Sequence, residues 1–183
     1  MKVRLDLHTH IWEASGFQQP DREVAQRVVN QMKAKGLDGI AVTDHRNKGY
    51  AFAFKEVMER QFGNGFIILP GWEIEVRPTS NPFDEYQVGE IFLPNGSVFR
   101  SYCHPGHPSR AITIEDGIGA IEVDNLLHNW HIDKPKVQAL AAQHDLLLFK
   151  VSDAHRIEDI GTNYTEVDLD EIYKRARPGD ARM

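Results

Sequence analysis

Asp6-Leu7-His8-Thr9-His10 is the stretch whose reading decides the fold. It follows Val3-Arg4-Leu5, which reads as a strand starting almost at the first residue. Side chains on a strand alternate faces, so Asp6, His8 and His10 point the same way, with the two imidazoles side by side. Two imidazoles on one strand face can chelate zinc, manganese or iron. Two histidines two apart also occur as ordinary surface or core residues. The rest of the chain has to decide between a metal centre and a chance pair.

Working outward, polar residues recur where strands end. Gly39 to Thr43 is a short apolar strand running into Asp44-His45. Phe66 to Leu69 is another, continued past a turn by Pro70-Gly71-Trp72-Glu73-Ile74-Glu75-Val76. Tyr86 to Leu93 turns at Pro94-Asn95-Gly96 into Val98 to Cys103, which ends in His104-Pro105. Ala120 to Val123 is a strand. Leu146 to Val151 is almost wholly apolar, as expected of a strand buried on both faces, and ends in Ser152-Asp153-Ala154-His155. Tyr164 to Val167 is a final strand, after which Asp168 caps a helix carrying Ile172 and Tyr173.

Between these lie helical patterns. Pro20-Asp21-Arg22-Glu23 opens one that carries Val24, Val28 and Met32 and stops at Gly36. Ala51 to Phe62 and Lys134 to His144 are two more. Ile11 to Pro20 and Arg77 to Glu85 read as loops, and Thr113 to Ile118 as a helical turn. Strand and helix alternate, which predicts a parallel α/β sheet or barrel. Five strands run directly into His8, His45, Glu73, His104 and Asp153. Barrel enzymes place their chemistry at that end of their strands.

The 183 residues fit a single domain spanning 1–183 with a sizeable core. A net charge of −6 argues against an extended nucleic-acid footprint. The single cysteine, Cys103, allows no internal disulfide and suits a reducing, cytoplasmic compartment. Cys103 itself reads as a small buried hydrophobe. No apolar run is long enough to span a bilayer, and Asp6 and His8 interrupt any signal-peptide pattern.

The ordered set Asp6-Leu7-His8-Thr9-His10, Val42-Thr43-Asp44-His45, Gly71-Trp72-Glu73-Ile74, Cys103-His104-Pro105, Ile121-Glu122-Val123 and Ser152-Asp153-Ala154-His155 resembles the PHP family of DNA polymerases and histidinol phosphatases. The resemblance implies a distorted seven-stranded, TIM-like β/α barrel holding two or three divalent ions (manganese, zinc or iron) and hydrolysing a small phosphorylated substrate. It further implies that His8, His10, Glu73 and Asp153 hold a first ion. Glu73 and His104 would then hold a second, with Glu73 bridging, and His45 and His155 a third. The sequence departs from the family in two places. Ser15 stands where the family has a third-site Asp, and Glu13 is the nearest substitute. Glu90 stands in the region of a second-site histidine, as its replacement.

The expected chemistry is in-line attack of a metal-bridging hydroxide on phosphorus. His155, or His45 with the third site empty, would protonate the leaving oxygen, and Arg110 and Arg156 would clamp the phosphate. Blander roles fit other residues. Glu75 reads as a solvated or salt-bridged carboxylate, Glu122 as structural, His107, His128 and His131 as solvent-facing, and His144 as a partner of a helix dipole. Two competing readings share the paired histidines: an amidohydrolase-type metal hydrolase, and a non-catalytic, metal-stabilised module that binds a partner.

Overall fold

The computed structural model describes residues 2–179. Its sheet is laid out around β1 (Lys2–Thr9). On one side β1 pairs in parallel with β2 (Gly39–Val42), which pairs in parallel with β3 (Ile67–Val76). On the other side it pairs antiparallel with β8 (Thr165–Asp168). From β3 the sheet continues through β4 (Tyr86–Phe92) and β5 (Ser97–Tyr102), both antiparallel to their predecessors. It then runs in parallel through β6 (Ile118–Asn125) and β7 (Leu147–Val151). The two-residue β9 (Arg177–Pro178) adds to β5 off this path.

The expectation of a seven-stranded parallel barrel is thus corrected to a mixed sheet with an eight-strand path. The physical reason lies in the connections. A parallel crossover needs a dozen or more residues, whereas Leu93 to Gly96 is a hairpin turn. The sheet nonetheless curls almost into a barrel. A buried cluster takes Val167, Leu5, Ala41, Leu69, Ile91, Phe99, Ala120 and Phe149, one from each strand of the path. The chain after β7 is stitched back to β1, where Asp153 N–H donates to the His8 carbonyl at 3.0 Å and His10 N–H to that of Ala154 at 2.9 Å.

Helices cover the β1–β3 side. α2 (Arg22–Lys35) starts where the Asp21 carboxylate accepts from Val24 N–H at 2.9 Å and stops at Gly36, which adopts φ +67°. α3 (Lys48–Phe62) starts at Asn47, well before the expected Ala51. Val24, Val28 and Met32 of α2 and Phe54 and Met58 of α3 bury their apolar stripes together with Ile40 and Ile68 of the sheet. α4 (Lys134–His144) packs Val137 and Ala141 near Ile121 and Val123. α5 (Leu169–Arg175) is capped by Asp168 as expected.

Three further expectations are corrected. Residues Ile11–Ala14 form a short helix, α1, because the Asp44 carboxylate accepts from the N–H groups of Trp12 and Glu13. Thr113 to Ile118 makes no helical turn, since the Glu115 carboxylate is tied to Thr79 and Tyr86 instead. β7 is not buried on both faces. It ends the strand path, and Leu148 is 39% exposed. Among the described residues, no helix is long and apolar enough to cross a membrane.

Candidate metal centre

Three strands, β1, β3 and β7, bring four side chains into one small volume. His8 Nε2 lies 3.0 Å from His10 Nε2, 3.5 Å from Glu73 Oε2 and 3.5 Å from Asp153 Oδ1. His10 Nε2 lies 3.6 Å from Glu73 Oε2 and 3.1 Å from Asp153 Oδ1. Donors around a cation at ~2.0–2.2 Å are themselves ~2.8–3.6 Å apart, so this quartet has the spacing of one ligand sphere. All four side chains are buried. Isolated carboxylates are costly in such a place unless they are paired or bind metal.

Each carboxylate also faces a second group. Glu73 Oε1 is 3.0 Å from His104 Nε2, while its Oε2, besides facing His8 and His10, is 3.2 Å from His45 Nδ1. Asp153 Oδ1 is 3.7 Å from His155 Nδ1, and its Oδ2 is 3.7 Å from His128 Nε2. Glu73 therefore has the geometry of a bridge, with one oxygen on each side. His104, His128 and Asp153 form one flanking donor group, and His10, Glu13, His45 and His155 form another. His10 Nδ1 is buried without a hydrogen-bond partner, on a ring stacked 4.4 Å from His45 and 4.2 Å from His155.

Backbone geometry aims these groups. His104 and Asp153 adopt φ +26° and +53°, a region uncommon for side-chain-bearing residues and held only where the surroundings impose it. Glu122 provides much of that restraint. Its Oε1 is 2.7 Å from His8 Nδ1, and its Oε2 accepts from His104 N–H at 2.8 Å and Asn125 Nδ2 at 2.9 Å. A carboxylate on one ring nitrogen fixes the tautomer and turns the other nitrogen toward the centre. Asn125 Nδ2 also donates to Asp153 Oδ2, and its Oδ1 accepts from the N–H groups of Leu127 and His128. Asp6 does not join the imidazoles. It accepts from Ser152 and Gly161, and burial pushes its pKa up to about 6 despite those bonds.

The electrostatics suit cations. Burial works against ionised Glu73, but His8 and His104 hold its pKa well below the usual range. Asp153 is likewise lowered, burial being outweighed by His8 and His10. Burial keeps His10 neutral, as a ligand must be. His8 behaves oppositely. Burial opposes its charge, but Asp153, Glu73 and Glu122 together raise its pKa well above normal. Cys103 is buried behind His8, and burial pushes its thiol up, so it remains a neutral small hydrophobe as expected.

Glu90 is corrected. In the β3–β4 register Glu73 faces Gly89, which has no side chain to donate, and Glu90 faces Trp72 on the other side of the pleat. Its carboxylate accepts from Trp72 Nε1 at 2.6 Å and from Arg100 at 2.5 and 2.8 Å. Arg156 is also engaged elsewhere, holding Asp159 through two bonds of 2.9 and 3.0 Å. Arg110 is exposed on the loop after His104 and forms no ion pair among the described residues. Ser15 turns its hydroxyl to the Trp12 carbonyl, whereas Glu13 Oε2 lies 3.6 Å from His155 Nε2.

His128 was expected to face solvent, yet it reaches Asp153. The rule that chemistry sits at strand ends would have found it had the sixth strand been extended from Val123 to Asn125.

No protein-family model matches the chain, and no curated protein matches it significantly. Solved structures do. PsfC from Pseudomonas syringae is 21% identical with a TM-score of 0.64, over 92% of this chain and 82% of that one. A Bifidobacterium adolescentis protein described provisionally as a metal-dependent phosphoesterase is 15% identical with a TM-score of 0.67, over 94% and 96% of the two chains. A Chromobacterium violaceum amidohydrolase, solved with sulfate and without metal, is 15% identical with a TM-score of 0.60, over 98% and 99%. At such low identities these likenesses establish that the chain shares the fold of these proteins.

Proposed function

We propose that this protein is a metal-dependent phosphoesterase of the PHP type. The observation that carries the reading is the pair of spanning carboxylates. Glu73 and Asp153 each turn one oxygen to the His8–His10 pair and the other to the His104–His128 side. Adjacent cation positions joined by a carboxylate are the arrangement that stabilises both the attacking and the leaving oxygen of a phosphoryl displacement. The donor set fits divalent ions. Three carboxylates, Glu13, Glu73 and Asp153, stand among imidazoles, a mixture suited to manganese, zinc or iron. When bound, such ions supply Lewis acidity and offset the charge of the ester.

The chain's own residues do the rest. His8, His10, Glu73 and Asp153 hold the first position, and Glu73, His104 and His128, with Asp153, the second. His45, His155 and Glu13 hold the third, Glu13 replacing the carboxylate that Ser15 cannot provide. His155 Nδ1–H donates to the Asp153 carbonyl at 2.9 Å, which leaves Nε2 free to bind or deliver a proton. His45 and His155 side chains are each 35% exposed, which makes them the most accessible members of the set to a substrate. With the third position empty, either can protonate the leaving oxygen. Arg110, exposed on the loop after His104, is our candidate to bind a small phosphorylated substrate.

Phosphate release from a panel of phosphomonoesters, with manganese added to metal-free wild type and to His10→Ala, tests the proposal. Manganese-dependent release by wild type, lost in the variant, supports it. Hydrolysis of amide or lactone substrates without phosphate release would replace it with the amidohydrolase-type reading. Absence of every hydrolysis despite bound metal would leave the non-catalytic module.

A further inference from the structure

Four imidazoles continue outward from the centre. The His104 and His128 rings are 4.3 Å apart, His128 and His107 4.7 Å, and His107 and His131 4.7 Å. Candidate ligand atoms of His107, His128 and His131 all lie within 4.8 Å of one another, and all three residues are partly buried. They come from two loops, one after β5 and one between β6 and α4.

The loops are locked together, so the triad is pre-formed. Gly106 adopts φ +105°, and a Cβ there would stand 2.5 Å from the His131 carbonyl oxygen. Only glycine lets the two backbones approach so closely. His131 N–H donates to the His128 carbonyl at 2.9 Å, and Asn125 Oδ1 holds His128 N–H at 3.0 Å. His128 Nε2 looks inward to Asp153, while its Nδ1 is buried without a hydrogen-bond partner. Buried ring nitrogens are normally satisfied, and one left open in a cluster of imidazoles is a donor awaiting an acceptor.

We propose that His107, His128 and His131 form a separate outer site for one zinc-class divalent ion. Neutral imidazoles from His107 and His131, and the His128 ring binding through Nδ1 as an imidazolate once its proton is released to solvent, are a sufficient set for zinc with the fourth position open to water or an anion. The triad contains no carboxylate, so manganese and magnesium, which favour oxygen, are poor occupants. The inner centre is rich in carboxylate and accepts them. His128, shared by both sites, couples the outer ion to the inner centre. The site does not depend on which reaction the inner centre runs.

The test adds zinc to the full chain already saturated with manganese and counts both metals after equilibrium dialysis, in wild type and in His107→Ala/His131→Ala. The expected result is one zinc equivalent bound by wild type over its manganese and lost from the double variant, with manganese per chain unchanged. Equal zinc in both proteins, or manganese lost together with zinc, overturns the proposal. Zinc-edge X-ray absorption on the wild type gives a reading that needs no variant. A first shell with three imidazole nitrogens supports the site, and an oxygen-dominated shell overturns it.

Discussion

Glu122→Gln changes one atom of the restraint behind the candidate metal centre, and its cost follows from hydrogen-bond direction. In the wild type, Oε1 takes the proton of His8 Nδ1 while Oε2 takes those of His104 N–H and Asn125 Nδ2. A glutamine has only one acceptor oxygen. If that oxygen faces His8, the amide N–H₂ confronts two donors, and each buried donor left unpaired costs about 1–3 kcal/mol. If it faces His104 and Asn125, the amide donates to His8 Nδ1. The imidazole proton then moves to Nε2, the nitrogen that points at His10, Glu73 and Asp153. That nitrogen then has no lone pair for a cation. Either orientation should weaken the first ion ~10–100-fold, the usual effect of losing such a partner. This corresponds to ~1.4–2.7 kcal/mol. Manganese titration calorimetry on metal-free wild type and variant reads the affinity. Urea unfolding in chelator reads the stability of the metal-free fold separately. Manganese affinity within about threefold of wild type would refute the tautomer argument.

Other consequences are equally direct. Glu90→Gln should leave metal content unchanged by elemental analysis, and should cost only ~1 kcal/mol in unfolding because Arg100 is half exposed. Glu13→Gln should weaken the proposed third ion in a stoichiometry titration under limiting manganese. Ser15→Asp should not strengthen it, because the Ser15 side chain points to the Trp12 carbonyl. Gly39→Ala should destabilise the fold by about 3 kcal/mol or more in urea unfolding, since its Cβ would lie 2.0 Å from the Ile67 carbonyl oxygen. Saturating manganese over chelator should raise the melting temperature by ~5–10 °C. One free ion at a hundred times its Kd contributes ~2.7 kcal/mol, and each kcal/mol moves the melting temperature by ~2–4 °C in a chain of this size.

Much of the centre was legible in the sequence because it is written at strand ends. A strand fixes the direction of alternate side chains, so His8 and His10 could be paired from their spacing alone, and Glu73, His104 and Asp153 announced themselves where apolar runs stop. The helix starts at Asp21 and Asp168 were equally local, each a side chain reaching a backbone N–H two or three residues on. What tertiary structure alone decided are contacts between distant segments. Register places Gly89 rather than Glu90 opposite Glu73, and a shift by one residue reverses which side chain faces the centre. The cap of α1 comes from Asp44, more than thirty positions away, and it turns Glu13 rather than Ser15 toward His155. His107, His128 and His131 meet only because two loops cross at Gly106, a proximity that no local spacing records.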